Sequence, residues 1–177
     1  SDLDKNGIKV TTSISQLRPG DTVIIRSHGI SPAIYRALQK KKIDIVDATC
    51  PKVKGIQQKV EKLGQARMEI IIVGNRQHPE VQGLLGYSHR QALVIENEQE
   101  ARELPFKKKR AVLAQSTQEA ELFGKIVACL AEKTEELSVY NTICQSTRVR
   151  QEATARLASQ VDALIIVGGK NSSNTNK

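Results

Sequence analysis

Ile70-Ile-Ile-Val-Gly-Asn-Arg-Gln-His-Pro-Glu-Val-Gln-Gly83 reads as a strand that ends in a polar loop and turns into a helix. Ile70 to Val73 are four β-branched residues in a row, which favours extended backbone. Gly74 to His78 is polar, and Pro79 suits a first helical turn, where its missing N–H costs no hydrogen bond. The same design recurs along the chain. Thr22 to Ile25 leads into Arg26-Ser-His-Gly29, Ala111 to Ala114 into Gln115-Ser-Thr-Gln118, and Ala163 to Val167 into Gly168-Gly-Lys-Asn-Ser-Ser-Asn174. Two further strands, Ile43 to Val46 and Leu137 to Tyr140, lead into Asp47-Ala-Thr-Cys50 and Asn141-Thr-Ile-Cys144. Helices are expected over about 31–41, 53–64, 79–86, 118–134 and 148–159. Strand-helix alternation of this kind predicts an α/β protein with parallel sheets and helices on their faces.

Composition narrows the function classes. The chain has 177 residues, a net charge of +8, 39% hydrophobic and 26% charged residues, which is ordinary for a globular protein with a real core. No apolar run approaches the ~20 residues of a membrane-spanning helix, and the opening SDLDKNGIKV has no signal-peptide pattern. Cys50, Cys129 and Cys144 are too few and too scattered for a secreted disulfide scaffold, so a reducing cytoplasm is expected. Only 3% of residues are aromatic and Trp is absent, which argues against stacking single-stranded nucleic acid. The positive balance points to an anionic small molecule or an acidic partner. Lys40 to Lys42 and Lys107 to Arg110 read as solvated loop or helix-end charge. Both ends read as internal to a longer protein: the chain opens on Ser1 into a strand-loop pattern and stops where a helix should follow Val167.

In parallel α/β sheets, ligands collect beyond the carboxyl ends of the strands. His28, Cys50, His78, Glu80, Ser116, Cys144 and the Asn-Ser cluster all fall there, which predicts one shared site. Cys50 and Cys144 lie too far apart in sequence to form a local knuckle. They are either small buried hydrophobes or ligands pointing into the crevice. Cys129, in line with Leu122, Ile126 and Leu130, belongs to the core. Glu80 either complements a helix dipole or acts as a general acid beside an anion-binding His78. His28 matches His78 one unit earlier, with Gly29 allowing close backbone approach, and His89 reads as an exposed turn residue. Lys170-Asn-Ser-Ser-Asn-Thr-Asn176 is either a plain loop or a phosphate or diphosphate seat at a helix start. Neither P-loop nor dinucleotide-fold glycine spacing is present.

Taken in order, seven segments resemble the 4-hydroxy-3-methylbut-2-enyl diphosphate reductase family (LytB-type), the iron-sulfur enzymes that end the methylerythritol phosphate route to isoprenoids. They are SHG at 27–29, DATCP at 47–51, HPEVQG at 78–83, QST at 115–117, Ile143-Cys144, RQEA at 150–153 and VGGKNSSNTN at 167–176. The resemblance covers essentially the whole chain. It implies α/β units arranged pseudo-threefold around a central iron-sulfur site. Residues 1–50 would be the C-terminal part of the first unit, 51–142 a complete middle unit, and 143–177 the start of a third. It implies a 4Fe-4S cluster held by three cysteines, with Cys50 and Cys144 as the second and third ligands and the first lying upstream. It makes Glu80 and Ser116 catalytic, Ser116 standing where the family's hydroxyl relay has Thr. His28, His78, Ser116, Ser172, Ser173 and Asn174 would contact the allylic diphosphate substrate. The implied reaction is a two-electron reductive dehydroxylation giving isopentenyl and dimethylallyl diphosphate, fed by a reduced ferredoxin or flavodoxin-type donor, with no nucleic acid or membrane partner. The segment alone, lacking one cluster cysteine, is expected to be inactive. Two alternatives remain at this point: a zinc site built from Cys50, Cys144, His28 and His78, and a basic α/β module binding an anionic partner such as RNA.

Overall fold

The computed structural model describes residues 5–169 and 172–175. Among them, six strands fall into two parallel sheets. β1 (Thr22–Ile25) pairs with β2 (Asp44–Asp47), with Thr22 opposite Asp44. β3 (Glu69–Val73), β4 (Ala92–Ile95), β5 (Lys107–Ala114) and β6 (Thr134–Tyr140) form a second sheet in the order β4-β3-β5-β6. The trailing halves of the central pair β3 and β5 are apolar without alternation because both of their faces are covered. Ile70 to Val73 and Ala111 to Ala114 are all inaccessible to solvent.

The helices are α1 (Pro32–Lys40), α2 (Pro51–Gln65), α3 (Pro79–Tyr87), α4 (Glu98–Arg102), α5 (Ala120–Glu132) and α6 (Gln145–Ala158). The two-residue period of a strand divides the core. Ile71, Val73, Val112 and Ala114 face Phe123, Ile126, Cys129 and Leu130 of α5. Ile70, Ile72, Ala111 and Leu113 face Ile56, Val60 and Leu63 of α2 and Val81 and Leu84 of α3. Each Val, Leu, Ile or Phe among them contributes about 1.5–3 kcal/mol when fully buried. Cys129 is thus a core thiol, as its helical spacing predicts.

Two expectations are corrected. Lys107 to Arg110 is not solvated loop or helix-end charge but the leading half of β5. Lys107 to Lys109 are exposed, whereas Arg110 is fully buried. Its Nε donates to Glu69 Oε2 at 2.5 Å, its Nη1 to the Lys133 carbonyl at 3.0 Å and its Nη2 to the Pro105 carbonyl at 2.7 Å, so burial leaves the guanidinium well satisfied. The strand expected over Ala163 to Val167 does not form: the segment is irregular, and Ile165 and Val167 are 87% and 92% exposed. No strand among the described residues lies beside it, and an unpaired strand leaves its N–H and C=O groups without partners. The short α4 and a 3₁₀ turn at Ile14–Gln16 had no sequence signal strong enough to expect. Among the described residues, no helix is long and apolar enough to cross a membrane.

Candidate functional site

The loops beyond the carboxyl ends of β3 and β5 bring Glu80 and Ser116 together. Pro79 sets the first turn of α3, and His78 caps it, its Nδ1 accepting the Glu80 N–H at 3.2 Å. An Nδ1 that accepts is unprotonated, so a neutral His78 carries its proton on Nε2. Glu80 is 1% exposed. Its Oε1 accepts the Ser116 N–H at 2.7 Å and its Oε2 the Ser116 hydroxyl at 2.6 Å. The Ser116 carbonyl in turn accepts the Cys144 N–H at 2.7 Å. A continuous path of hydrogen bonds therefore joins the start of α3 to the start of α6.

His28 stands edge-on to His78, with ring centroids 5.1 Å apart. Its Nδ1 is buried without a partner among the described residues. Gly29 follows with φ +71°, and a Cβ there would collide with Gln57 Nε2. Gln57 is itself buried, and its Nε2 likewise has no partner among the described residues. Sequence reasoning missed Gln57. The signal was a polar residue inside the buried stripe Val53, Ile56, Val60 and Leu63 of α2.

Cys50 and Cys144 are alike in placement. Each is the N-cap residue of a helix, α2 and α6, and each is half-buried. Burial pushes the Cys144 thiol up, but the N–H groups of Ser146 and Thr147, the Ser146 hydroxyl and the charge of Lys52 outweigh it, leaving the thiol below its ordinary value. Lys52 sits two residues past Cys50, so the starts of α2 and α6 face a common region. The zinc alternative does not assemble: among the described residues, no three His, Cys, Asp or Glu side chains form a group able to hold a metal ion.

The Asn-Ser stretch is held beside these loops. Ser173 Oγ lies 2.8 Å from Thr117 Oγ1, which accepts from Gln115 Nε2 at 2.8 Å, while Gln115 Oε1 accepts the Asn75 N–H at 3.0 Å. Asn174 Oδ1 accepts a long 3.4 Å bond from Thr147. Ser172 is half-buried, its N–H donating to the Gly169 carbonyl at 2.9 Å. Lys170, Asn171 and Asn176, also part of the expected seat, lie outside the described residues. His89 is exposed in its turn, as expected.

A family model described as "LytB protein" matches residues 1–177. The chain belongs to the LytB family. Among curated relatives, this LytB chain is 41% identical over 177 residues to the 4-hydroxy-3-methylbut-2-enyl diphosphate reductase of Alkaliphilus oremlandii, covering 100% of the chain and 63% of the relative. It is 43% identical over 175 residues to the enzyme of the same name from Geotalea uraniireducens, covering 99% and 62%. The LytB chain thus spans a little over three-fifths of the length of these relatives. Among solved structures it matches (E)-4-hydroxy-3-methyl-but-2-enyl diphosphate reductase, described as the terminal enzyme of the non-mevalonate pathway, with TM-score 0.74 and 40% identity over 99% of this chain and 63% of that one. It matches the E-1-hydroxy-2-methyl-but-2-enyl-4-diphosphate reductase of Plasmodium falciparum with TM-score 0.93 and 30% identity, over 99% of this chain and 56% of that one. The parallel-sheet α/β fold of this LytB chain is therefore the fold of those reductases.

Proposed function

We propose that this LytB chain is the part of a 4-hydroxy-3-methylbut-2-enyl diphosphate reductase that carries the proton source, most of the diphosphate seat and two cluster thiols. The contact of Glu80 with Ser116 carries this reading: a buried carboxylate bound at both oxygens to one serine, beside a pair of histidines. Reductive dehydroxylation breaks the substrate's C–O bond, consumes two electrons and two protons, and releases water plus isopentenyl or dimethylallyl diphosphate. Glu80 supplies the proton that leaves with the hydroxyl. To pass it, the Ser116 hydroxyl, which here donates to Glu80 Oε2, turns its proton to the substrate side and takes another from Glu80 once that carboxyl is protonated at Oε2.

The diphosphate forms and breaks no bond, so its binding serves to place the hydroxyl. His78 donates from Nε2, His28 stands at its edge, and Ser172, Ser173 and Asn174 contribute hydroxyls and an amide. The start of α3 adds the positive end of a helix. Cys50 and Cys144 would hold a 4Fe-4S cluster, which in bound form supplies electrons one at a time together with a Lewis-acidic iron. Their placement suits cluster ligands, because both thiols are partly accessible at helix starts and the Cys144 thiol is held below its ordinary value. Cys129 is locked in the core, so a third thiol would come from elsewhere in the longer protein. In this reading 1–50, 51–142 and 143–177 belong to three successive α/β units, and a reduced ferredoxin or flavodoxin-type protein is the donor. The free thiols suit a reducing cytoplasm.

The test is anaerobic purification of the full-length protein, with iron and acid-labile sulfide measured beside conversion of 4-hydroxy-3-methylbut-2-enyl diphosphate under a chemical reductant. Cys50→Ser and Cys144→Ser are expected each to lower cluster content and turnover together. A cluster-bearing protein that leaves the substrate unchanged would overturn the reading.

A further inference from the structure

At the end of the large sheet opposite Glu80 and Ser116 lies an open cleft of about 310 Å³. It exists because the strands are unequal. β5 begins at Lys107 and runs beside β6, whereas β3 first meets it at Arg110. The step left below β3 and β4 is walled by the turns that enter them, which carry Arg67 and Arg90. Lys107 and Lys109 line the third side. Four cations thus face one carboxylate, Glu69, and that carboxylate is held at 2.5 Å by buried Arg110. Lys109 reaches out to exposed Glu136 at 2.8 Å, and Lys107 lies 3.5 Å from Glu69. Neither Arg67 nor Arg90 makes an ion pair among the described residues.

Both arginines have positive φ, 54° at Arg67 and 65° at Arg90. Each follows a helix, α2 and α3, at a position that glycine or asparagine would occupy without strain. Lys42 and His89 share this conformation outside the cleft lining, so it belongs to the helix ends; its effect here is to set Arg67 and Arg90 in the cleft wall. Arginine forks match the oxygens of phosphate groups, and paired arginines with flanking lysines suit more than one phosphate.

We propose that this cleft binds a compact diphosphate group, free or carried on a small organic molecule, at a site separate from the strand-tip seat. Roughly 13 Å of strand lies between the two ends of β3. The site is independent of the proposed reductase activity.

The test is calorimetric titration of the full-length protein with inorganic diphosphate and, separately, with adenosine diphosphate, in magnesium-free buffer at low salt. The titrations use a His78→Ala background, so that binding at the strand tips is weakened. One diphosphate is expected to bind per chain, and Arg67→Gly with Arg90→Gly to weaken it at least about tenfold. Glycine relieves both positive-φ positions, so the melting temperature is expected to hold or rise. Lys107→Gln with Lys109→Gln gives an independent variant on exposed positions and is expected to weaken binding as well. Equal affinity for the two ligands assigns the cleft to the bare diphosphate group; tighter adenosine diphosphate binding assigns it to a carried one. Absence of binding to either ligand, or isotherms unchanged by both double substitutions, would overturn the proposal.

Discussion

Ser116 grips both oxygens of the Glu80 carboxylate, its N–H at 2.7 Å from Oε1 and its Oγ at 2.6 Å from Oε2. The pairing fixes the carboxylate plane and joins the first turn of α3 to the loop after β5. It also sorts the two oxygens by role. Oε1 meets a backbone donor that cannot move a proton, whereas Oε2 meets a hydroxyl that can. A proton passed through this pair would therefore have to run through Oε2 and Ser116 Oγ.

Glu80→Gln tests that assignment. Glutamine keeps the shape, its carbonyl oxygen can still accept the Ser116 N–H, and its amide can donate to Ser116 Oγ. It holds no transferable acid proton. If the proposed reductase activity holds, turnover of the full-length protein is expected to fall by at least about 10²-fold, with substrate affinity and cluster content little changed. Ser116→Thr is expected to retain turnover within a few-fold, since the hydroxyl remains, and Ser116→Ala to lose it. Normal turnover in Glu80→Gln would remove Glu80 from the proton path.

Gly29 and Gln57 are expected to be coupled. Alanine at position 29 suffers twice: its φ of +71° is unfavourable, and its Cβ would collide with Gln57 Nε2. The backbone part alone costs about 1–2 kcal/mol. The contact part adds whatever it costs buried Gln57 to swing its terminal amide aside. Chemical denaturation of Gly29→Ala, Gln57→Ala and the double variant is expected to show that Gly29→Ala costs less when Gln57 is already alanine, by about 0.5 kcal/mol or more. Strict additivity would show that the two side chains do not compete for that space.

The parts of this structure that were legible in the sequence are those that local chemistry decides. Ile70 to Val73 is β-branched throughout and became the fully buried β3, and Pro79 marked the start of α3 to the residue. The polar strand ends His28, His78, Glu80 and Ser116 could be placed on one side of the sheets from order alone. That Ser116 contacts both oxygens of Glu80 could not, because a contact between loops depends on how β3 and β5 are set side by side. Ala163 to Val167 shows the opposite failure: its composition is as strand-like as that of β3, but pairing needs a neighbour. Lys107-Lys-Lys-Arg110 reads as surface, and only the offset between β3 and β5 brings its last residue under Glu69.

Asp47 gives stability a defined pH dependence. Burial raises its carboxyl, but hydrogen bonds from Lys54 and Thr49, and the charge of Lys54, outweigh that and hold it below the ordinary value. The Lys54 ammonium lies 2.7 Å from Oδ2, and Thr49 donates to Oδ1 from both N–H, at 3.0 Å, and hydroxyl, at 2.5 Å. A carboxyl depressed on folding stabilises above its unfolded value, about 3.9, and that contribution disappears as pH falls through the lower folded value. Asp47→Asn is expected to lower the urea midpoint at pH 7 by the equivalent of about 1 kcal/mol. The gap between wild type and variant should close as pH falls below about 4. A gap that is constant with pH would assign the loss to packing instead of charge.

Arg110 is expected to be the most sensitive charged position in the large sheet. It is fully buried and bonds to Glu69, Lys133 and Pro105, with a longer 3.4 Å contact to Thr134 Oγ1, so it ties the leads of β3, β5 and β6 together. Arg110→Met fills similar space but leaves Glu69 with only Lys107 at 3.5 Å and two carbonyls without their donor, a loss of about 3 kcal/mol. Arg110→Lys keeps the charge and cannot reproduce the three-way fork, so it recovers only part of that. Denaturation midpoints should therefore rank wild type above Lys and Lys above Met. Glu69→Gln is expected to shrink the penalty of Arg110→Met, because the partner it strands is then uncharged. If Met proves as stable as Arg, the hydrogen bonds of the buried guanidinium add nothing net to the stability of the fold.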